Sequence, residues 1–315
     1  MQRFKVKKRL LFLPGILLML LIPVYMYYSH DVTVLKELYP HNIEKKEYFP
    51  VYQFRKGAPK QWTKLKHIST YAKWAIVLSE DWGFYQHTGI DLVQVKIALD
   101  EMFKNKRFRG ASTITQQMVK NVFLSQDRTL WRKVHEIILA QKVEKTLSKD
   151  RILEAYLNCI EMGPGIFGIN KASWHYFNKH PSALNAREAA FIAMLLPSPK
   201  RYYSSFKSKK LTKFASNRVN AILIKLRMAQ VLSRENYELA KVTRYSWEQS
   251  PILPVIEAEV LETEDIIHEE LETLPEETPP GLDELPSDEV PQTLEGDGGG
   301  DVREIEGADD VREHR

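Results

Sequence analysis

A mainly α-helical fold is predicted by three features of this 315-residue chain. Apolar residues recur at helical spacing through its middle. Cap-forming serine, threonine and asparagine residues precede those stretches. Strand-like or turn-like texture is confined to the irregular segment 31–66, which carries Pro40, Pro50 and Pro59. An apolar content of 43% over this length suffices for a substantial core.

Taken in order, the chain opens with a basic segment, residues 1–9, holding Arg3, Lys5, Lys7, Lys8 and Arg9. Residues 10–28 are uncharged, and at about 1.5 Å per residue they are long enough to cross a hydrocarbon layer. The basic side stays in the cytoplasm, which places the rest outside. A cleaved signal peptide is the competing reading, but Tyr27-Tyr28-Ser29-His30-Asp31 offers no small-residue cleavage site. A retained single-pass anchor is therefore expected, followed by a lead-in over 29–64.

From Ser69 the texture changes. Tyr71, Trp74, Ala75, Val77 and Leu78 predict a helix ending near Glu80. Ile90 to Phe103 reads as a second, followed by a basic loop, 104–110, whose aromatic and basic residues are expected to face a membrane. Ser112 or Thr113 caps a third helix carrying Ile114, Met118, Val122 and Phe123. Thr129 to Leu147 is a long helix with Leu130, Val134, Ile137 and Gln141 on one face, and Arg132 and Glu136 share another. Ser148 or Asp150 starts a short helix through Asn158. Asn185 and Glu188 have capping-box spacing for a helix that Pro197 and Pro199 stop. Two more helices are predicted near 210–229 and 233–243.

Charge is divided unevenly. Residues 251–315 hold 22 of the 41 acidic residues and only Arg303, Arg312 and Arg315 as basic ones, so the first 250 residues carry a formal +23. A body this basic attracts phosphates of any kind. The segment 249–315 has the composition of a disordered acidic tail. The single cysteine, Cys159, excludes an intramolecular disulfide and reads as a buried thiol. No Cys/His cluster with zinc spacing is present.

Two carboxylates, Glu80 and Glu136, flank hydroxyl, amide and cationic side chains, a set suited to acid–base chemistry on a polyhydroxylated, anionic substrate. Alone, Glu80 reads equally as a solvated helix end, although Trp74, Leu78, Trp82 and Phe84 would desolvate it and raise its pKa. Glu136 alone reads as an i,i+4 partner of Arg132, worth roughly a few tenths of a kcal/mol at a surface.

Four motifs then coincide in order. They are Glu80-Asp81-x-x-Phe84-x-x-His87-x-Gly89, Gly110-x-Ser112-Thr113-Ile114-Thr115-Gln116-Gln117, Arg132-Lys133-x-x-Glu136 and Arg151-Ile152-Leu153-Glu154-x-Tyr156-Leu157-Asn158. Together they resemble the peptidoglycan glycosyltransferase (transglycosylase) family, closest to its monofunctional, membrane-anchored form, with the domain at 65–248. The resemblance implies a lysozyme-like lobe beside a small membrane-proximal lobe. It implies polymerisation of lipid II into glycan strands at the outer face of a bacterial cytoplasmic membrane. Glu80 would take the proton from the acceptor's 4-hydroxyl, and undecaprenyl pyrophosphate would leave with inversion.

Glu136 is implied as a second catalytic carboxylate that orients groups around the pyrophosphate or helps hold a divalent cation, Mg or Mn. Substrate binding is implied for Asp81, Phe84, His87, Gly89, Gly110, Ser112, Thr113, Thr115, Gln116, Gln117, Lys120, Asn121, Arg128, Arg132 and Lys133. Of these, His87 is expected to orient rather than carry protons, and Gly89 and Gly110 to serve loop geometry. No nucleotide cofactor and no nucleic-acid partner are implied. The partners are lipid-linked glycan, the membrane and penicillin-binding or other cell-wall synthesis proteins. One departure stands out: the family's last motif carries paired arginines, and here the first position is Asn217, before Arg218. The competing functions are a lytic enzyme using Glu80 as general acid and a non-enzymatic membrane scaffold.

Overall fold

The computed structural model describes residues 21–248, apart from 23–24, 28, 45–50, 106–109, 126 and 128. The predicted acidic tail, most of the predicted anchor and most of the 104–110 loop lie outside these residues. Among the described residues no helix is long and apolar enough to cross a membrane. The elements run α1 (Val34–Glu37), β1 (Leu38–Glu44), β2 (Val51–Lys56), α2 (Thr70–Glu80), α3 (Leu92–Asn105), α4 (Ile114–Phe123), α5 (Leu130–Thr146) and α6 (Lys149–Cys159). They continue with α7 (Ile169–Phe177), α8 (Ala186–Leu195), α9 (Pro199–Tyr202), α10 (Ser204–Lys207), α11 (Lys213–Met228) and α12 (Arg234–Val242). The chain is mainly helical, as its periodicity predicts.

Helix starts follow the chemistry of their caps. Ser69, Thr113, Thr129, Ser148, Asn185, Thr212 and Ser233 each accept a main-chain N–H from the first turn that follows. At Thr113/Gln116 and Asn185/Glu188 the bond is reciprocated, closing two capping boxes. The face of α5 with Leu130, Val134, Ile137 and Gln141 is not the buried one, for Leu130 is 86% exposed and Gln141 is exposed. The inward stripe is Glu136, Leu139, Ala140 and Val143, so a charged residue stands where the pattern calls for an apolar one.

Two helix groups build the core. All ten residues of α8 are buried, and α2 and α11 pack against it and each other. The second group sets α4 between α5 and α6. The antiparallel β1–β2 hairpin leans on this second group through β2 and α4, and Phe54 stacks on Phe123 at 5.4 Å. Glu154 on α6 accepts from Trp62 Nε1 and Leu65 N, both at 2.9 Å, and pairs with Arg151, so it pins the lead-in to the helical body. Cys159 is buried, as its lone occurrence suggests, and burial pushes its thiol up to about 12.

The end of the predicted anchor and the residues just after it dock on α5. Lys142 Nζ donates to the carbonyls of Tyr27 and His30, each at 2.8 Å, and the Ser29 hydroxyl meets His135 Nε2 at 2.8 Å. The Asn185 cap bonds only Glu188 within its own first turn, so it tests stability. Asn185→Ala is expected to cost about 1 kcal/mol in chemical denaturation, with the fold retained.

Candidate active site

Glu80 is the last residue of α2 and is half-buried, and its sequence neighbours Trp74, Leu78, Trp82 and Phe84 are buried. A helix C-terminus is the negative end of the macrodipole and disfavours a carboxylate. Burial pushes the Glu80 pKa above its ordinary value, and Asp81 adds to the rise. Gln117, Lys225 and Arg218 pull it back down. The Gln117 amide does so directly, with Nε2 donating to Glu80 Oε2 at 2.9 Å. The result is a carboxylate that ionises reluctantly yet has partners ready for its charge.

The motif residues after Glu80 explain how it is held. Asp81 is buried and accepts from the Ile114 N–H at 2.9 Å, tying the end of α2 to the first turn of α4. Gly89 N–H donates to His87 Nδ1 at 3.2 Å, so the ring proton sits on Nε2 and is given to the other Asp81 oxygen at 2.9 Å. Thr113 Oγ1 donates to the Gly89 carbonyl at 2.8 Å. Gly89 has φ +88°, and a Cβ there would stand 3.2 Å from the Ala140 main chain. His87 thus links Asp81 to the Gly89 loop.

Several residues expected to bind substrate are turned inward. Phe84 is fully buried, with Lys149 Nζ 4.4 Å from its ring centre. Thr113 and Gln116 close the α4 capping box, and buried Thr115 donates to Glu144 at 2.5 Å. These residues, like Asp81, bond within the protein. Gly110 is exposed, and among the described residues a Cβ there would meet nothing within 4 Å. Asn121 donates to the Gln117 carbonyl one turn back at 2.8 Å. Arg128 lies outside the described residues.

The cationic half of the site is built on α4 and α5. Arg132 Nη1 and Lys133 Nζ both donate to the buried Glu136 carboxylate, at 2.7 and 2.5 Å. Lys133 Nζ also donates to Ser112 Oγ at 2.9 Å. Glu136 is therefore an anchor that aims two cations, and the i,i+4 pair read from the sequence is real. Lys120 makes no ion pair within 4.0 Å among the described residues. Burial holds its pKa below the ordinary value, Glu136 and Glu80 raise it, and Arg132 and Lys133 lower it. Lys120 thus lies within electrostatic reach of both carboxylates, and Gln117 and Lys120 share one face of α4, three residues apart.

Glu136 is a poor fit for a divalent ion, because both its oxygens already accept from side-chain cations. Asp81, His87 and Asp91 place ligand atoms within 4.8 Å of one another. Asp81 and His87 spend those atoms on each other, on Ile114 and on Gly89, and Asp91 Oδ1 accepts from the Gln94 N–H at 2.9 Å. The sequence reading missed Lys225 of α11, which acts on Glu80 together with Arg218. Its position seven residues after Arg218, two turns along the same face, is the signal that would have found it.

The fold and site define a helical domain in which α4 meets a desolvated carboxylate, Glu80, through Gln117 and packs against α5, which carries the Arg132–Lys133–Glu136 cluster. The chain belongs to the transglycosylase family, whose pattern, described as Transglycosylase, matches residues 48–227, more than half the chain. It is 40% identical over 156 residues to a biosynthetic peptidoglycan transglycosylase of Nitrosomonas eutropha, covering 49% of this chain and 64% of that protein. A protein of the same name from Brucella suis is 43% identical over 148 residues, 47% of this chain and 66% of its own. Penicillin-binding protein 1A of Clostridium tetani is 42% identical over 169 residues, 52% of this chain but 21% of its own. The match thus spans slightly less than two thirds of the two transglycosylases.

The raised Glu80 pKa has a consequence for stability. The stability contributed by the protonated group is present below the ordinary carboxylate value and is lost as pH rises through the folded-state value. Glu80→Gln is therefore expected to melt above the parent near pH 7, with the two melting curves converging toward about pH 4. A parent that is the more stable of the two near pH 7 contradicts the shift.

Proposed function

We propose that the chain polymerises lipid II, transferring a lipid-linked glycan chain to the 4-hydroxyl of an acceptor N-acetylglucosamine. The observation that carries this reading is Gln117 and Lys120 on one face of α4, the first bonded to Glu80 and the second within reach of the Arg132–Lys133–Glu136 cluster. One end of that arrangement suits an alcohol that must lose a proton. The other suits a leaving group that gains negative charge.

Glu80 takes the proton from the acceptor hydroxyl as its oxygen forms a bond to the donor's anomeric carbon. The bond from that carbon to the pyrophosphate oxygen breaks on the opposite face, so the configuration inverts. A base whose pKa is lifted toward the working pH transfers protons more effectively. Lys120, Arg132 and Lys133 receive the charge developing on the pyrophosphate, and Arg128, which lies outside the described residues, is a further candidate on the resemblance alone. Preorganised cations of this kind stabilise the transition state without reorganisation. Because Glu136 is committed to Arg132 and Lys133, this mechanism routes no step through a divalent ion held by Glu136.

Residues 10–28 serve as the membrane anchor in this reading, with the basic residues 1–9 cytoplasmic and the domain, 65–248, on the outer face beside its lipid-linked substrate. A lysozyme-like lobe and a membrane-proximal lobe complete the proposed architecture. Penicillin-binding proteins are the natural partners, since crosslinking requires a separate activity. A raised carboxyl pKa also suits the general acid of a lytic enzyme. Hydrolysis, however, leaves Lys120, Arg132 and Lys133 with no anion to receive.

Incubating the purified full chain with lipid II separates these readings: polymerisation lengthens glycan, lysis shortens preformed glycan. Glu80→Gln is expected to lower polymerisation by about 10²–10⁴-fold with an unchanged circular dichroism spectrum. Near-normal turnover by that variant overturns the assignment of the base.

A further inference from the structure

We propose that Tyr156 is a positioning residue, whose hydroxyl fixes which end of the Gln117 side-chain amide faces Glu80. This rests on the reading of Glu80 as the base and extends it to a residue that no substrate touches. Tyr156 sits on α6, which packs against α4, and is completely buried. Its hydroxyl donates to Gln117 Oε1 at 3.1 Å, while Gln117 Nε2 donates to Glu80 Oε2 at 2.9 Å. Three side chains from three helices thus form one directional chain ending at the carboxylate.

Direction matters because an amide presents two nearly isosteric ends of opposite character. Its N–H end stabilises the ionised carboxylate. Its carbonyl end would accept from the protonated acid and stabilise that form instead. Half a turn of the terminal torsion exchanges the two, and that torsion is soft. The Tyr156 hydroxyl breaks the tie by supplying a donor to Oε1. Burial pushes the phenol pKa well up, and Glu80 and Asp81 push it the same way, so the hydroxyl keeps its proton and remains a donor. The Asn121 amide bonds the Gln117 main-chain carbonyl, not its side chain, and so does not take over this task.

In Tyr156→Phe the amide is free to present its carbonyl to a protonated Glu80, which favours the acid over the base. The experiment is the pH dependence of kcat/KM for lipid II polymerisation by the full-length chain. The acid limb is expected to move upward by about half to one pH unit in Tyr156→Phe, with the plateau rate at higher pH largely recovered. Gln117→Leu removes the same donor and is expected to shift the limb similarly, and adding Tyr156→Phe to it should shift the limb no further.

A limb that coincides with the parent's in Tyr156→Phe, or a plateau loss without a limb shift, overturns the proposal and leaves Tyr156 a packing residue. Additive shifts in the double variant overturn it equally. If Tyr156→Phe fails to fold, an unshifted limb in Gln117→Leu overturns the proposal on its own. Glu80→Gln, measured alongside, keeps the two claims apart. Its inactivity together with an unshifted Tyr156→Phe limb defeats the positioning role alone, whereas an active Glu80→Gln defeats the base beneath it.

Discussion

The bond from the Ile114 main-chain N–H to the Asp81 carboxylate joins the end of one helix to the start of another, and the candidate site is arranged about that joint. A carboxylate at the first turn of α4 is favoured by the helix dipole, and it leaves the neighbouring carboxylate, Glu80, at the unfavourable end of α2. The joint fixes how α4 lies against α2. Gln117 therefore meets Glu80 one turn into α4, and Lys120 stands one turn further on. His87, Gly89 and Thr113 close the same joint through bonds that use up their polar atoms. A motif that reads as a list of binding residues is in large part a device for holding one carboxylate in a setting that resists its ionisation.

The cationic side obeys a different constraint. A buried carboxylate is costly unless paired, and breaking such a pair is costlier still. Glu136 meets that condition with two partners, Arg132 and Lys133, whose positions three and four residues before it are dictated by the helix. The pairing holds both cations on the α4 side of α5. Lys120, with no ion pair among the described residues and a pKa lowered by burial, is the member whose charge is least compensated. An arriving diphosphate would relieve that imbalance, which links the electrostatics of the site to the proposed chemistry.

Much of this was legible in the sequence because caps are local. Ser69, Thr113, Thr129, Ser148, Asn185 and Ser233 announce helices that begin at the following residue. Helix α7 was not foreseen, because it starts at Gly168, where φ is +85° and no side chain caps the first turn. A Cβ at that glycine would come within 2.6 Å of the Asn158 carbonyl, a tertiary reason that no local pattern carries. The inward face of α5 does not follow from periodicity, because its stripe begins with Glu136 and periodicity rules count charges as outward-facing. The carboxylates and cations were found through their motifs, but the division between residues that face the site and residues that brace it depends on hydrogen bonds between distant segments. Lys225 lies beyond the motif that carries Asn217 and Arg218, and only the fold brings its charge to bear on Glu80.

The central claim is that Glu80 ionises at higher pH than an ordinary glutamate because the fold desolvates it. Carbon-13 NMR titration of the glutamate side-chain carboxyls, with Glu80 assigned by its absence in Glu80→Gln, measures this directly. The account predicts a midpoint for Glu80 above the ordinary value of about 4.3 and above those of the exposed glutamates in the same spectrum. A midpoint at or below that value would contradict it.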